Sequence, residues 1–321
     1  MTITHRIHNT RRAVVCSLLA MTLIGMALTA RPLVVAAQGA AGKPFASPED
    51  AVRGLIEAVK AGNLDELRSI FGAGGQELIA SSDAATAGRN REVFAIAAAE
   101  GWRLVDQGTD RKELIVGNEG WPFPVPLVKN STSWRFDSAA GKEEVLARRI
   151  GRNELAVIGI ARSYVAAQQR YAQEGHDGKP AGLFATTFRS DPGKQNGLYW
   201  AAAPGQPRSP FGDLVAQAAE EGRPIGTTRQ RPTPFHGYYF KILTAQGPAA
   251  PGAAKSYLVN GEMSAGFALV AWPAQYDATG IMTFTVGQDG TVHEKDLGPG
   301  TDATATAMTT YNPDKSWLPV K

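Results

Sequence analysis

The sequence predicts an α+β protein: a small helix-plus-sheet unit, then a long helix packed on an antiparallel sheet. Three observations carry this reading. A capped amphipathic helix opens at Ser47-Pro48-Glu49-Asp50, and short alternating β-rich runs follow between residues 102 and 137. An apolar helical face from Val145 to Gln168 then precedes a second set of strands separated by glycine-containing turns.

The first helix is marked at both ends. Ser47 caps the free amides, Pro48 suits the first helical position, and Glu49 and Asp50 face the positive end of the helix dipole. Ala51, Val52, Leu55, Ile56 and Val59 recur at helical spacing until Ala61-Gly62-Asn63 ends the run. A second short helix spans Leu64 to Phe71, with Leu64, Leu67, Ile70 and Phe71 on its buried side, and a third covers Arg89 to Glu100. Trp102 to Val105 and Lys112 to Val116 read as strands. Trp121 to Val128 carries prolines at 122, 124 and 126, each removing a ladder donor, so it is an extended edge or bulged segment. Ser133 to Asp137 alternates as a short terminal strand.

A long helix reaches Ala172, its face tracked by Val145, Ile150, Leu155, Ile158, Ala161, Val165 and Gln168. Gly151 and Gly159 weaken it. Residues 173–235 are loop-rich, with one helix near Phe211 to Glu221. Strands follow at Tyr238 to Thr244, Ser256 to Asn260, Phe267 to Trp272 and Gly280 to Val286. The turn Gln288-Asp289-Gly290-Thr291 leads into a last strand, Val292 to Lys295.

Ahead of these elements stands a leader. Arg6, Arg11 and Arg12 form a basic start, Ala13 to Ala30 carries no charge, and Val35-Ala36-Ala37 is a small-residue exit. This is the layout of an export signal over residues 1–37, and it predicts a periplasmic or extracellular protein. The apolar stretch approaches the roughly 20 residues that span a bilayer, but Arg31-Pro32 ends it, which favours a cleaved leader over a retained anchor. The expected membrane association is therefore only through an uncleaved signal. Thr10-Arg11-Arg12-Ala13-Val14-Val15 resembles a twin-arginine export motif, and an ordinary secretory route fits the same residues. Residues 38–46 read as a linker, 47–138 as a first domain and 143–320 as a second.

Loss of the leader changes the apparent chemistry. It takes four arginines and no acid from a chain of 33 Lys+Arg and 30 Asp+Glu, leaving 29 basic against 30 acidic residues. The precursor's pI near 8.9 is thus no sign of nucleic-acid binding, and no basic stripe appears later. Cys16, the only cysteine, leaves with the signal, so disulfide and thiolate chemistry go with it.

Two stretches resemble known folds. Pro48-Glu49-Asp50-Ala51, Ala61-Gly62-Asn63 and the hairpin from Leu127-Val128-Lys129 to Trp134-Arg135-Phe136 make residues 47–138 similar to a nuclear transport factor 2-like cone. Ala161 to Tyr171, Gly237-Tyr238-Tyr239-Phe240 and Gly280 to Gly290 make residues 143–320 similar to the globular region of type IV pilin-like proteins. Three longer strings carry a resemblance over most of the chain: Trp121 to Lys129, Arg148 to Leu155, and His236 to Gly247. They resemble a bacterial exported family catalogued as domain of unknown function 2950, from about residue 44 to 320. That resemblance implies export and no particular activity.

Catalytic and metal signatures are thin. The three histidines beyond the leader, His176, His236 and His293, lack paired ligand spacing, so neither a metal nor a cofactor is expected. His176-Asp177-Gly178 reads as a solvated loop. Gly261 to Gly266 spaces its glycines one residue too far apart for a nucleophile elbow and reads as a hairpin. Asp289, His293 and Glu294 flank one strand. Glu154, with Arg148, Arg149 and Arg152 nearby, reads as an ion-paired structural carboxylate, and no catalytic residue is assigned. Tyr239, His236, Trp200, Trp272 and Glu294 are the candidate ligand-binding residues, lining a groove for a sugar or peptide. Alternation along residues 238–242 leaves Tyr239 as the more exposed tyrosine. The expected function is a non-enzymatic binding or assembly module of the cell envelope, its partner an envelope protein or cell-wall polymer. The alternative is an envelope hydrolase with a site near His236, Tyr239 and Glu294.

Overall fold

Ser47 begins the ordered architecture as expected: its hydroxyl accepts the Asp50 N–H at 3.1 Å and opens helix α1, Pro48–Lys60. The hydrogen bond from Ser47, then the one from Arg53, hold the Asp50 carboxyl below its usual range. The computed structural model describes residues 41–79, 84–202, 205, 208–212 and 234–320. Helix α2, Leu64–Phe71, is capped by Asn63, whose Oδ1 accepts the Glu66 N–H. It buries Leu67, Ile70 and Phe71, whereas Leu64, expected inside, opens the helix at its solvent edge. The short α3, Gln76–Ile79, and then α4, Ala84–Glu100, follow. Ala87, Phe94 and Ala98 are the buried residues of α4, the last two one turn apart.

Strands β1 (Trp102–Asp106), β2 (Arg111–Val116), β3 (Trp121–Pro122), β4 (Leu127–Asn130) and β5 (Ser133–Phe136) form one antiparallel sheet. Its order is β1-β2-β4-β5, with β3 also paired to β2. The proline run thus makes a two-residue pairing and then releases the chain to β4, consistent with its missing donors. Residues assigned to the linker join this sheet: Phe45 exchanges hydrogen bonds with Trp134 at 2.8 and 2.9 Å. The sheet and the first helices enclose a core that includes Leu55, Ile70, Phe94, Leu114, Leu127 and Phe136.

Helix α5, Ser138–Tyr171, runs 34 residues, or about 50 Å at 1.5 Å per residue. It starts earlier than expected, so the segment after Phe136 is its first turn and not a connector. That turn packs on the first core. Ser138 Oγ donates to the Phe71 carbonyl at 2.6 Å, and a Cβ on Gly141 would meet Val125 at 2.7 Å. The later turns bury Ile150, Val157, Ile160, Ala161, Tyr164, Val165 and Gln168. Leu155, expected on this face, is 69% exposed. It lies two residues before Val157, and a 200° rotation carries it to the opposite side.

The second set of strands is β6 (Tyr238–Leu243), β7 (Ala245–Gln246), β8 (Lys255–Ser256), β9 (Leu258–Val259), β10 (Glu262–Met263), β11 (Ala268–Pro273), β12 (Met282–Gly287) and β13 (Val292–Asp296). The strand expected over Ser256 to Asn260 is split into β8 and β9, with Tyr257 tucked inward between them at 2% exposure. Asn260 and Gly261, both with positive φ, close the β9–β10 hairpin. The strand expected to be last is followed by helix α6 (Thr301–Ala307), β14 (Thr310–Tyr311) and β15 (Leu318–Pro319). The main sheet has the order β15-β13-β12-β11-β6 and is antiparallel throughout. A smaller sheet, β14-β7-β8, pairs β14 with β7 in parallel.

Strand β11 is buried along its whole length because α5 covers one face of the sheet and α6 the other. Its sequence, Ala-Leu-Val-Ala-Trp-Pro, is correspondingly apolar without alternation. The described residues pack as one compact unit with two main hydrophobic cores, and α5 belongs to the second and packs on the first through Ser138 and Gly141. The helix expected over Phe211 to Glu221 lies, beyond Gly212, outside the described residues.

Candidate functional site

The middle of α5 carries a polar junction with the sheet. Glu154 Oε1 accepts the backbone N–H groups of Ile281 (2.9 Å) and Met282 (3.0 Å) and lies 3.4 Å from the Tyr238 hydroxyl. Tyr238, fully buried, also donates to the Met282 carbonyl at 3.0 Å. The expected ion pair is therefore replaced by backbone ligation. Arg148 instead pairs with Glu144 at 2.7 Å and donates to the Pro122 carbonyl at 2.8 Å.

One turn of chain supports this junction. His236 (φ +46°) and Gly237 (φ +73°) form a tight turn, closed by hydrogen bonds between Phe235 and Tyr238 at 2.9 and 3.0 Å. Asn153 Nδ2 donates to the Thr279 carbonyl at 2.8 Å, and a Cβ on Gly237 would meet both residues at 2.8 Å. The three long strings of the sequence thus meet on α5: Pro122 at Arg148, and Gly237 and Tyr238 at Asn153 and Glu154.

Glu294 borders the same region. Burial, then the Glu154 charge, raises its carboxyl above the usual range. Burial and the Glu154 carboxylate likewise push the Tyr238 phenol far up, so it is a neutral donor.

The five candidate ligand residues separate into four places. Tyr239 and Trp272 are paired across β6 and β11, with ring centroids 5.8 Å apart. Trp272 is 7% exposed and donates its indole N–H to Asp302 of α6, while Tyr239 is only half-buried. Glu294 lies in the cross-strand row Phe240–Ala271–Phe284–Glu294, which faces α5, whereas Tyr239 and Trp272 belong to the opposite face. His293, adjacent to Glu294 on the strand, also takes the opposite face. His236 occupies the turn before β6. Trp200 lies beside His176, at 5.6 Å between centroids.

His176, without Trp200, lines a small polar pocket at the end of α5. Its volume is about 130 Å3, and Tyr171, His176, Asp177, Lys179, Phe184 and Thr186 are among its walls. His176, expected in solvent, is 8% exposed and stacks on Tyr171 at 4.1 Å. Its Nε2 lies 3.0 Å from the Tyr171 carbonyl, which only accepts, so Nε2 carries the proton. Its Nδ1 lies 3.3 Å from Gln195 Oε1. The Tyr171 hydroxyl donates to the Gln195 carbonyl at 2.9 Å, and Asp177 accepts the Gln195 N–H at 2.8 Å. Burial, then the charges of Asp177 and Glu262, pushes the Tyr171 phenol up to about 12. Asp177 (φ +53°) and Gly178 (φ +80°) form the turn that sets the carboxylate at the rim. A histidine, an aspartate and a glycine in one turn after a helix was the available signal.

Among the described residues, no three His, Cys, Asp or Glu side chains are grouped to hold a metal ion. A 34-residue helix packed against two cores, with a polar junction at its middle and a polar pocket at its end, defines an α+β scaffold that presents a small polar recess. The chain belongs to the family described as protein of unknown function (DUF2950), whose model matches residues 42–320. No curated protein and no solved structure matches the chain.

Proposed function

We propose that this is an exported cell-envelope protein acting as a non-enzymatic binding or assembly module for a protein or a cell-wall polymer. The observation that carries the choice of binding over catalysis is the dispersal of the hydrolase candidates. Tyr239 and Glu294 lie on opposite faces of the sheet and His236 sits in a turn before it. Acid–base catalysis needs its groups within hydrogen-bonding reach of one reacting centre. The export reading rests on the leader: Arg6, Arg11 and Arg12, the uncharged run to Ala30, and the exit at Ala37. The likeness of residues 47–138 to a nuclear transport factor 2-like cone, and of 143–320 to a pilin-like globular region, agrees with a scaffold that presents surfaces.

Incubating the natively purified protein with envelope extract and with isolated wall material tests this reading. Specific retention of one component without its breakdown is expected. Release of soluble fragments from wall material would establish the hydrolase instead. Mass spectrometry of the native protein is expected to find a chain beginning at Gln38, and an intact leader would contradict the cleaved-export reading.

A further inference from the structure

We infer that the pocket at the C-terminal end of α5 binds a neutral, polyhydroxylated ring: a single hexose-type saccharide unit. The inference rests on the binding-module reading and names the ligand of one of its surfaces. Size sets the first limit. At about 130 Å3 the recess is well below the roughly 300–1,000 Å3 of pockets that take drug-sized ligands. It has room for one small ring or part of one, and an extended chain would continue outside.

Charge sets the second limit. Lys179 lies at the rim, but its ammonium is already matched by Glu262, at 2.9 and 3.0 Å to the two carboxylate oxygens. Asp177 adds one negative charge, one of whose oxygens is held by the Gln195 N–H. An anionic ligand would meet Asp177 and Glu262, so the rim has no surplus positive charge to hold it. A purely apolar ligand would desolvate Asp177 and Thr186 without replacing their water.

The unused hydrogen-bonding capacity then selects the class. Among the described residues, no second protein donor engages the Asp177 carboxylate and no protein group bonds the Thr186 hydroxyl. Thr187 Oγ1 donates within its own loop, to the Arg189 carbonyl at 3.1 Å, and keeps acceptor capacity. One N–H of Lys179 is also left over beyond its two contacts with Glu262. Acceptors and donors are therefore mixed at short range, and hydroxyl groups satisfy both kinds at once. Phe184 and Tyr171 supply the apolar wall for the C–H face of a ring. The Tyr171–His176 stack and the two hydrogen bonds to the Gln195 backbone fix this geometry before binding, so the protein has little ordering cost to meet.

The test is saturation-transfer NMR and titration calorimetry on the natively purified protein with glucose, N-acetylglucosamine and its β-1,4-linked dimer. Retention on insoluble wall material is measured in parallel. Asp177→Asn and Thr186→Val are the variants. Asparagine tolerates the positive φ, and the Thr186 side chain makes no internal hydrogen bond, so circular dichroism should match the native protein. Saturable sugar binding, weakened about tenfold in Asp177→Asn by loss of a charge-assisted hydrogen bond, is expected, together with retention that free sugar competes away. Sugar binding without retention would support the pocket and overturn the wall-polymer reading. Retention without sugar binding, or sugar binding indifferent to both variants, would overturn the pocket and leave the binding module standing. Failure of both would remove the two together.

Discussion

Glu154 ties three pieces of chain together with one carboxylate oxygen: α5, the start of β12 and the Tyr238 hydroxyl. Its removal would leave two backbone N–H groups without an acceptor, a loss of about 1–3 kcal/mol. Glu154→Ala should therefore lower stability by that order in a denaturant titration, while Glu154→Gln, which keeps an acceptor oxygen, should lose much less. Equal losses in the two variants would show that the carboxylate charge itself matters. Glu294 behaves differently, because burial and the neighbouring Glu154 raise its pKa in the folded protein. Its stabilising contribution is present below the unfolded value of about 4.3 and is lost as pH rises through the folded one. Glu294→Gln is thus expected to melt higher than the native protein at pH 7, with the difference vanishing below about pH 4. A pH-independent difference would contradict this assignment. The sequence made Glu154 conspicuous through its place beside an apolar face, yet its partners are 127 and 128 residues away. Backbone amides of a distant strand leave no side-chain signature, and the nearby arginines suggested an ion pair instead.

At the level of elements, local chemistry was the legible part. Ser47 caps its helix, the proline run leaves only a two-residue edge pairing, and the hairpin from Leu127 to Phe136 forms, with Leu127 opposite Phe136. Long-range packing was less legible. Leu155 was placed inside because its neighbours at 158 and 161 are apolar, but the buried seam is set by Val157, Ala161, Tyr164 and Gln168. Residues 256–260 were read as one strand because nothing local marks the inward turn of Tyr257. The same seam explains why α5 tolerates two glycines: a Cβ at Gly151 or Gly159 would touch nothing within 4 Å. Gly151→Ala and Gly159→Ala should each raise stability by up to about 1 kcal/mol through helix propensity alone. A destabilised variant at either position would show that the outer face of α5 is occupied. Gly237 is the contrasting case, since φ +73° and the 2.8 Å approach to Asn153 and Thr279 leave no room for alanine. Gly237→Ala should be markedly destabilised in the same assay.

For the whole molecule, the continuous α5 couples the two cores. The sequence predicts separate domains over residues 47–138 and 143–320, and the helix begins at Ser138, before that gap. Ser138 and Gly141 lock its first turn onto Phe71 and Val125, while Tyr164 holds its later turns to strand β11 and Gln168 holds them to the loop at Ala185. Neither core can release the helix without exposing part of the other, so calorimetric unfolding is expected as one transition. Two resolved transitions would show that the cores unfold separately. The candidate site was the least legible level. The sequence offers Tyr239, Trp272 and Trp200 as aromatics that could line a groove, but packing between the sheet and α6 already engages Trp272. The pocket at Asp177 arises from loops that meet through Gln195, a residue with no mark of its own in the sequence.

Retention of the natively purified protein on isolated wall material, with soluble products assayed in the same tube, separates a binding module from a hydrolase. Saturable retention with no fragment released is expected. Steady release of soluble fragments, or no retention of any envelope component, would contradict it.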